Sequence, residues 1–227
     1  MSYPYDAIIF DFDGVLVESV QIKTNAFAAL YAPYGQEIVD KVMKDHVEWG
    51  GLSRYVKIKK YHQDFLGVGL TESELEKLAQ QFSEQVLEAV IKCPWVLGAK
   101  TFLDEQHKNF LCYVASGTPT AELKTIIQRR GMEHYFCGVY GSPERKSDII
   151  LRILREKNIP CDRVLMIGDS IEDFEAAQIA HVHFIGRETD YFSPRPGYSF
   201  VSNFLDLRVC GKSISPFAKG GRHVRSA

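Results

Sequence analysis

The chain has 227 residues, of which 45% are hydrophobic, and its 27 basic and 29 acidic side chains give a formal net charge of −2 at pH 7. This length and apolar content allow one large domain, or a core with a smaller insertion, and exclude global disorder. The balanced charge gives no electrostatic basis for a nucleic-acid or membrane partner, so an anionic substrate has to be held by local cations or a metal.

No segment of the sequence predicts export or membrane insertion. The first ten residues lack a basic stretch followed by a long apolar run, and no apolar run approaches the roughly 18 residues that span a bilayer. The five cysteines are widely spaced and form no Cys-x-x-Cys pair, which is typical of a reducing compartment. We therefore expect a cytoplasmic protein. Nothing in the sequence sets the oligomeric state, and a monomer is consistent with it.

The most informative segment lies near the N-terminus, where the apolar run 7–10 ends in Asp11 and Asp13, followed by Gly14. The run predicts a strand that is buried on both faces. Its carboxyl end is where open α/β sheets place ligand sites, and both carboxylates project to the same side of an extended chain. Two carboxylates need a cation between them or a shared proton, and Mg²⁺ prefers such oxygen ligands. Ordinary acidic turn residues are the alternative.

From about residue 20 to residue 92 the sequence predicts almost only helix. Thr71 and Glu74 form a capping box ahead of apolar residues with helical spacing, which predicts a helix start. Weaker helical patterns cover residues 20–31, 36–49 and 53–65, separated by glycines. This block follows the first strand directly and is therefore predicted to be a separate helical insertion.

Beyond residue 93 the pattern changes to strands alternating with helices. Strands are predicted at residues 110–115, 136–140, 164–167 and 182–185, and helices at residues 121–130, 146–158 and 171–180. Such alternation predicts a parallel sheet with right-handed crossovers, and the strand at 7–10 must join it. The basic tail, residues 212–227, is expected to be a solvated terminus.

Polar side chains follow four of the predicted strands, at what should be one edge of the sheet. They are Asp11 with Asp13, Ser116 with Gly117, Lys146, and Asp169 with Asp173. Together they offer the nucleophile, the proton donor, the phosphate-binding groups, the cation and the metal ligands that phosphoryl transfer requires. Each also has a purely structural alternative, such as a helix cap for Asp169 or a solvated helix start for Lys146.

The order and spacing of these residues, with a helical insertion after the first motif, resemble the haloacid dehalogenase superfamily. The similarity is to its phosphatase-like members with a helical cap, of the phosphoglycolate phosphatase and beta-phosphoglucomutase type, and it covers residues 5–187. It implies an α/β fold with a Rossmann-like parallel-sheet core formed by residues 1–16 and 93–227. Residues 17–92 would form the inserted α-helical cap domain. Glu18 departs from the family, which more commonly has Asp before Ser19.

The resemblance also implies the catalytic roles. Asp11 would attack phosphorus and form an aspartyl-phosphate. Asp13 would protonate the leaving alcohol and later deprotonate the attacking water. Ser116 and the amide of Gly117 would hold the phosphoryl oxygens, while Lys146 would neutralise the nucleophile and the transferred group.

The implied cofactor is Mg²⁺. Its ligands would be Asp11, the backbone carbonyl of Asp13, and Asp169. Asp173, one helical turn beyond Asp169, would bind the ion directly or through water. A metal ion explains how several carboxylates remain ionised beside a phosphate dianion.

The cap would contact the leaving group, and Gly51, Arg54 and Lys57 are its candidate substrate residues. A glycine-bearing loop enters a helix there, and the two cations lie three residues apart on one helical face. They could bind a substrate carboxylate, hydroxyls or a second phosphate. The alternative is a solvated basic face, extended by Lys59 and Lys60. Lys23 is a further candidate for the cleft.

The sequence therefore predicts a Mg²⁺-dependent phosphatase that acts on a small phosphorylated metabolite. A phosphomutase, which returns the phosphoryl group to the substrate, is the alternative of the same chemistry. A non-catalytic sensor of phosphorylated ligands would be expected to lack an essential carboxylate, and all are present. Members that remove halide lack the second aspartate, here Asp13. Phosphonate-cleaving members need a cap lysine, and Lys23 and Lys57 are available without a matching context.

Overall fold

A parallel β-sheet forms the centre of the molecule. The computed structural model describes residues 4–194 and 197–216. Within the predicted tail of residues 212–227, Ser213–Pro216 form a strand, and residues 217–227 lie outside the described residues. Six strands, all paired in parallel, follow the order β3-β2-β1-β4-β5-β6. Their bounds are β1 Ala7–Phe10, β2 Leu111–Pro119, β3 Gly138–Ser142, β4 Val164–Gly168, β5 His183–Arg187 and β6 Ser199–Val201.

Eight α-helices lie within the described chain. Four of them, α1 Val20–Tyr31, α2 Gln36–Glu48, α3 Arg54–Leu66 and α4 Glu72–Lys92, form the helical insertion between β1 and β2. The other four accompany the sheet and are α5 Ala99–Gln106, α6 Thr120–Arg129, α7 Lys146–Lys157 and α8 Ile171–Ile179. The predicted α/β class, with a parallel sheet flanked by helices, is confirmed.

The first strand holds the middle of the sheet because it is apolar on both faces. All four residues of β1 are fully buried, between β2 on one side and β4 on the other. Ile8 and Phe10 contribute to one apolar cluster, and Ala7 and Ile9 to a second one on the opposite face. This alternation is what a central strand covered on both faces requires.

The helical insertion has an aromatic core of its own. Phe27 of α1 and Phe82 of α4 are buried, with ring centroids 4.3 Å apart. Tyr61 of α3 meets Phe27 edge-to-face at 5.7 Å. Offset and edge-to-face pairs of this kind add to the hydrophobic gain from burial. The four helices are thus packed against one another, and α4 also packs against α6 beside the sheet.

The sequence missed one helix and three strands. Helix α5 has no side-chain cap and follows Gly98 in a left-handed conformation (φ +79), so it lacks the usual start signal. Strand β6 has three residues. The antiparallel hairpin of β7 Leu207–Cys210 and β8 Ser213–Pro216 has four residues per strand. Segments this short carry too little periodicity to identify. No helix of the described chain is long and apolar enough to cross a membrane.

The capping box predicted for α4 is present and gives a first test of stability. The Thr71 side chain accepts a hydrogen bond from the Glu74 amide (3.3 Å), and the Glu74 carboxylate accepts one from the Thr71 amide (2.8 Å). We expect Thr71→Ala to lower the free energy of unfolding by about 1 kcal/mol. Urea denaturation measures this. Ser73→Ala, at an exposed site in the same turn, should change it by less than about 0.5 kcal/mol, and equal losses would contradict the capping role.

Candidate active site

Three acidic side chains from two neighbouring strand ends meet at the carboxyl edge of the sheet. Asp11 follows β1, and Asp169 and Asp173 follow β4, which pairs with β1. One carboxylate oxygen from each lies within 4.8 Å of the others, and all three residues are buried. The sequence placed these residues together correctly, because the carboxyl ends of adjacent parallel strands coincide.

Gly14 makes the close approach of Asp169 possible. Its φ of +75 is favourable only for glycine, and a Cβ there would overlap the Asp169 carboxylate oxygen. Ser170, and not Asp169, caps α8. The Ser170 hydroxyl accepts from the Asp173 amide (3.2 Å) and donates to its carboxylate (2.5 Å). The helix-cap alternative for Asp169 is therefore wrong, because its carboxylate does not cap α8.

Lys146 supplies the positive charge at the centre of this acidic cluster. It is the first residue of α7 and is buried, so the solvated alternative is wrong. Its Nζ lies 3.2 Å from Asp11, 2.9 Å from Glu172 and 2.6 Å from Asp173. Burial disfavours the charged form, but these carboxylates outweigh it and hold the pKa of Lys146 well above its ordinary value.

One lysine does not neutralise the buried acids. Burial, reinforced by Asp173, raises the pKa of Asp11 well above its ordinary value. Burial and the charge of Asp173 also raise the pKa of Asp169 to about 7. Buried oxygen donors with excess negative charge suit a hard divalent cation such as Mg²⁺. The donor set therefore fits the predicted metal.

Asp13 has a different environment from Asp11. Its carboxylate accepts hydrogen bonds from Ser19 (2.6 Å) and Thr118 (2.9 Å), and it forms an ion pair with Lys23 of α1. Burial alone would raise the pKa of Asp13, but Lys23 and the hydroxyl donors lower it below its ordinary value. The carboxylate is therefore held in its ionised form.

The predicted phosphate-binding residues, Ser116 and Gly117, lie near Asp13. Ser116 is buried, its hydroxyl 3.4 Å from the Asp13 carboxylate, and it accepts a hydrogen bond from the Thr118 amide (3.1 Å). Gly117 touches the helical insertion. A Cβ at Gly117 would overlap the carbonyl oxygen of Gly51. The loop between α2 and α3 thus closes directly over the end of β2.

A cavity of about 60 Å³ lies between the sheet edge and the insertion. Asp11, Asp13, Asp169 and Gly117 line its floor, and Lys23, Phe27, His46, Gly51, Arg54, Lys57 and Phe82 are among the insertion residues that line it. Its inner surface joins an acidic wall on the sheet to basic and aromatic groups on the helices. Such a mixed pocket is the expected form of a small-molecule site.

Both basic residues predicted on α3 are buried, so the solvated-face alternative is wrong for them. Arg54 is 4% exposed and Lys57 is 1% exposed. Arg54 donates to both carboxylate oxygens of Glu122 on α6 (2.8 and 2.5 Å) and lies over the Phe82 ring. Lys57 Nζ contacts the Nδ1 atom (2.8 Å) and the carbonyl oxygen (3.1 Å) of His46. Their burial follows from the packing of α3 against α2 and α4.

Sequence reasoning missed Thr118, His46 and Tyr191. The Tyr191 hydroxyl donates to Asp169 Oδ2 (2.6 Å) from the irregular segment after β5, where no periodic pattern could place it.

Glu18, the departure from the family pattern, pairs with Arg187 (2.7 Å), which also donates to the Gly14 carbonyl (2.6 Å). The ion pair therefore connects the segment just before the helical insertion with the last residue of β5.

The fold and the site define an α/β protein with a parallel sheet, a helical insertion and a buried acidic cluster around a central lysine. The chain matches the family of haloacid dehalogenase-like hydrolases over residues 8–187. A phosphoglycolate phosphatase from Synechococcus elongatus is 26% identical over 177 residues, covering 76% of this chain and 78% of that protein. A phosphorylated carbohydrates phosphatase from Thermotoga maritima is 26% identical over 191 residues, covering 79% and 83%.

A solved structure of beta-phosphoglucomutase from Clostridium difficile shares the fold, with a TM-score of 0.68, 18% identity, and coverage of 82% of this chain and 85% of that one. The chain belongs to the haloacid dehalogenase-like hydrolase family. The expectation of an enzyme of this family, of the phosphatase type, is confirmed.

The contact between Gly51 and Gly117 predicts that closure of the loop is sensitive to one methyl group. Gly117→Ala should displace the loop and reduce phosphate release from a phosphomonoester by about a hundredfold, because small misplacements near the reacting groups are costly. Steady-state kinetics measure this. Gly50→Ala is the matched control, since its Cβ would lie 3.4 Å from the nearest atom, an ordinary contact. Equal activity of both variants, with unchanged melting temperatures, would refute the contact.

The raised pKa of Asp169 predicts a pH dependence of stability. Folded Asp169 retains its proton up to about pH 7, whereas an unfolded aspartate loses it near pH 4. The folded state then binds more protons in this range, so the free energy of unfolding falls as pH rises. In EDTA, we expect Asp169→Asn to flatten the fall between pH 4 and pH 7 seen in thermal denaturation of the unmodified chain. Parallel curves for the two proteins would contradict the shift.

Proposed function

We propose that the chain is a Mg²⁺-dependent phosphatase that hydrolyses a small phosphomonoester through an aspartyl-phosphate on Asp11. Phosphoglycolate is the first candidate substrate, because several curated relatives carry that name. The observation that carries the proposal is the buried group of Asp11, Asp169 and Lys146 beneath a closed helical insertion. Residues 17–92 would act as the cap domain, and residues 1–16 with 93–227 as the core.

Asp11 is the nucleophile in this proposal. One of its oxygens would bond to phosphorus while the bond from phosphorus to the leaving oxygen breaks. The other oxygen already accepts a hydrogen bond from the Phe12 amide (2.6 Å), which fixes the carboxylate orientation. Lys146, 3.2 Å away, offsets the negative charge that would repel an incoming phosphate.

Asp13 would exchange protons with the leaving oxygen and then with water. Asp13 accepts a proton from the attacking water in the second step, and the leaving oxygen of the next turnover takes that proton from Asp13. Lys23 favours the ionised form of Asp13. The pair thus favours the water-activating step over the protonation of the leaving group.

Asp11 and Asp169 are the direct candidates for holding Mg²⁺. Both oxygens of Asp173 already accept hydrogen bonds, from Lys146 (2.6 Å) and from Ser170 (2.5 Å), so Asp173 would hold the ion through water. Once bound, the ion would neutralise the excess carboxylate charge and polarise a phosphoryl oxygen. The backbone carbonyl of Asp13 would complete the protein ligands. Ser116, the Gly117 amide and Lys146 would hold the remaining phosphoryl oxygens.

The cap would exclude bulk water from the reacting groups. Gly51 contacts Gly117 at the sheet edge, and Phe27 and Phe82 line the cavity above it. Arg54 is engaged by Glu122 of the core, so its charge would stabilise the closed cap rather than act as a free anion-binding group. Lys57 remains as a cap cation for the substrate.

The test is phosphate release from a panel of phosphorylated metabolites, with Mg²⁺ and with EDTA. We expect release that requires the metal and is lost in Asp11→Asn, because the nucleophile is removed. A stable, folded protein that releases nothing from any of them would refute phosphatase activity. Isomerisation of a sugar phosphate without net release, followed by NMR, would instead identify a phosphomutase.

A further inference from the structure

The buried lysine of the cap has no acidic partner, unlike the other cations of the site. Lys23 pairs with Asp13, Arg54 with Glu122, and Lys146 with three carboxylates. Within the described chain, the hydrogen bonds of Lys57 Nζ go only to Nδ1 and the carbonyl oxygen of His46. An ammonium group has three N–H donors. One donor of Lys57 therefore remains for a ligand.

Burying an unpaired ammonium group is costly, so its presence here calls for a partner. Lys57 is 1% exposed and lines the same cavity as Asp11 and Gly117. The cavity thus has a phosphate end on the sheet and an unpaired cation on the helices. A substrate with a phosphate at one end and an anionic group at the other matches both.

We propose that Lys57, positioned by His46, binds a second anionic group on the leaving part of the substrate, and that a carboxylate fits it best. The inference rests on the proposed phosphatase function. A cavity of about 60 Å³ holds only about four to six water-sized groups. In so small a space, a short carboxylate-bearing alcohol fits better than a sugar as the leaving part of the substrate.

His46 acts as a positioning residue. It is buried, and burial together with the charges of Lys57 and Lys23 lowers the pKa of His46 well below its ordinary value. A neutral imidazole can accept a hydrogen bond, and a protonated lysine can only donate one. His46 therefore holds the ammonium group without neutralising its charge, which stays available to the substrate.

Proton uptake should accompany binding. Burial, with a contribution from Lys23, lowers the pKa of Lys57 to about 7. The charged groups that face it from the neighbouring elements are Lys23 of α1, Asp45 of α2, Lys146 of α7 and Glu172 of α8. A bound anion stabilises the charged form, so Lys57 should take up protons near pH 7 when the anion binds.

The experiment compares phosphoglycolate, ethylene glycol bisphosphate and hydroxyethyl phosphate, which carry a carboxylate, a second phosphate and no second charge. We expect Lys57→Met to reduce the preference for phosphoglycolate over hydroxyethyl phosphate at least about tenfold, mainly through KM. Lys59→Met is the matched control. This lysine lies on the same helix and is exposed, so the variant should retain the preference.

Titration calorimetry on Asp11→Asn, with and without Lys57→Met, separates this inference from the proposed function, because binding does not require turnover. Measurements in two buffers of different ionisation enthalpy report the proton uptake on binding. Lys57→Met should abolish this uptake and should weaken the binding of phosphoglycolate but not of hydroxyethyl phosphate. Lys57→Arg should keep the positive charge at this position but show no proton uptake on binding, because arginine is already protonated. An unchanged preference or uptake in folded Lys57→Met would overturn the proposal. A preference for ethylene glycol bisphosphate would assign the site to a second phosphate and overturn the assignment to a carboxylate.

Discussion

The crowding of carboxylates around Lys146 is the constraint on which the site depends. Asp11, Glu172 and Asp173 all approach its Nζ within 3.2 Å, and Asp169 completes the buried group. Such charges are tolerated in a folded interior only when they are compensated. Lys146 provides part of the compensation. The raised pKa values of Asp11 and Asp169 show that it is incomplete, and a divalent cation would supply the remainder.

The sheet makes this crowding possible because β1 and β4 are fully buried neighbours whose carboxyl ends coincide. Small local features then determine the distances. Gly14 leaves room for the Asp169 carboxylate, and Ser170 caps α8 so that Asp173 turns toward Lys146. A side chain at position 14 would disturb the site by overlapping the Asp169 carboxylate. Such positions explain why an acidic cluster is stable at this edge of the sheet.

The helical insertion is attached to the sheet domain by polar contacts in addition to apolar packing. Arg130, after α6, donates to three carbonyl oxygens at the end of α4, and Arg54 pairs with Glu122 across the interface. Backbone carbonyls at a helix C-terminus are a favourable site for a guanidinium group. These contacts hold the insertion where the loop at Gly51 meets Gly117. Closure of the cavity is therefore fixed by several groups, none of which needs a ligand.

The sheet edge could be predicted from the sequence, and the opposite wall of the cavity could not. Asp11, Asp169 and Lys146 follow apolar strands, and parallel pairing brings such ends together whatever the loops do. The position of Lys57 depends on how α1, α2 and α3 pack against one another. A helix bearing Arg54, Lys57, Lys59 and Lys60 has the composition of a solvated face, yet it buries the first two. Tyr191 comes from an irregular segment without any periodic signal.

The two walls of the cavity carry opposite charge for different physical reasons. The sheet wall is acidic because Asp11, Asp13 and Asp169 follow two adjacent strands. Their oxygens would suit the proposed carboxylate catalysis and a hard cation. On the helical wall, acidic side chains already neutralise Lys23 and Arg54. These two cations therefore hold the helices in place more than they add positive potential to the cavity. Lys57 alone among these cap cations faces the cavity without an acidic partner in the described chain. Its burial strengthens its attraction for an anion, because little water is present to screen the charge.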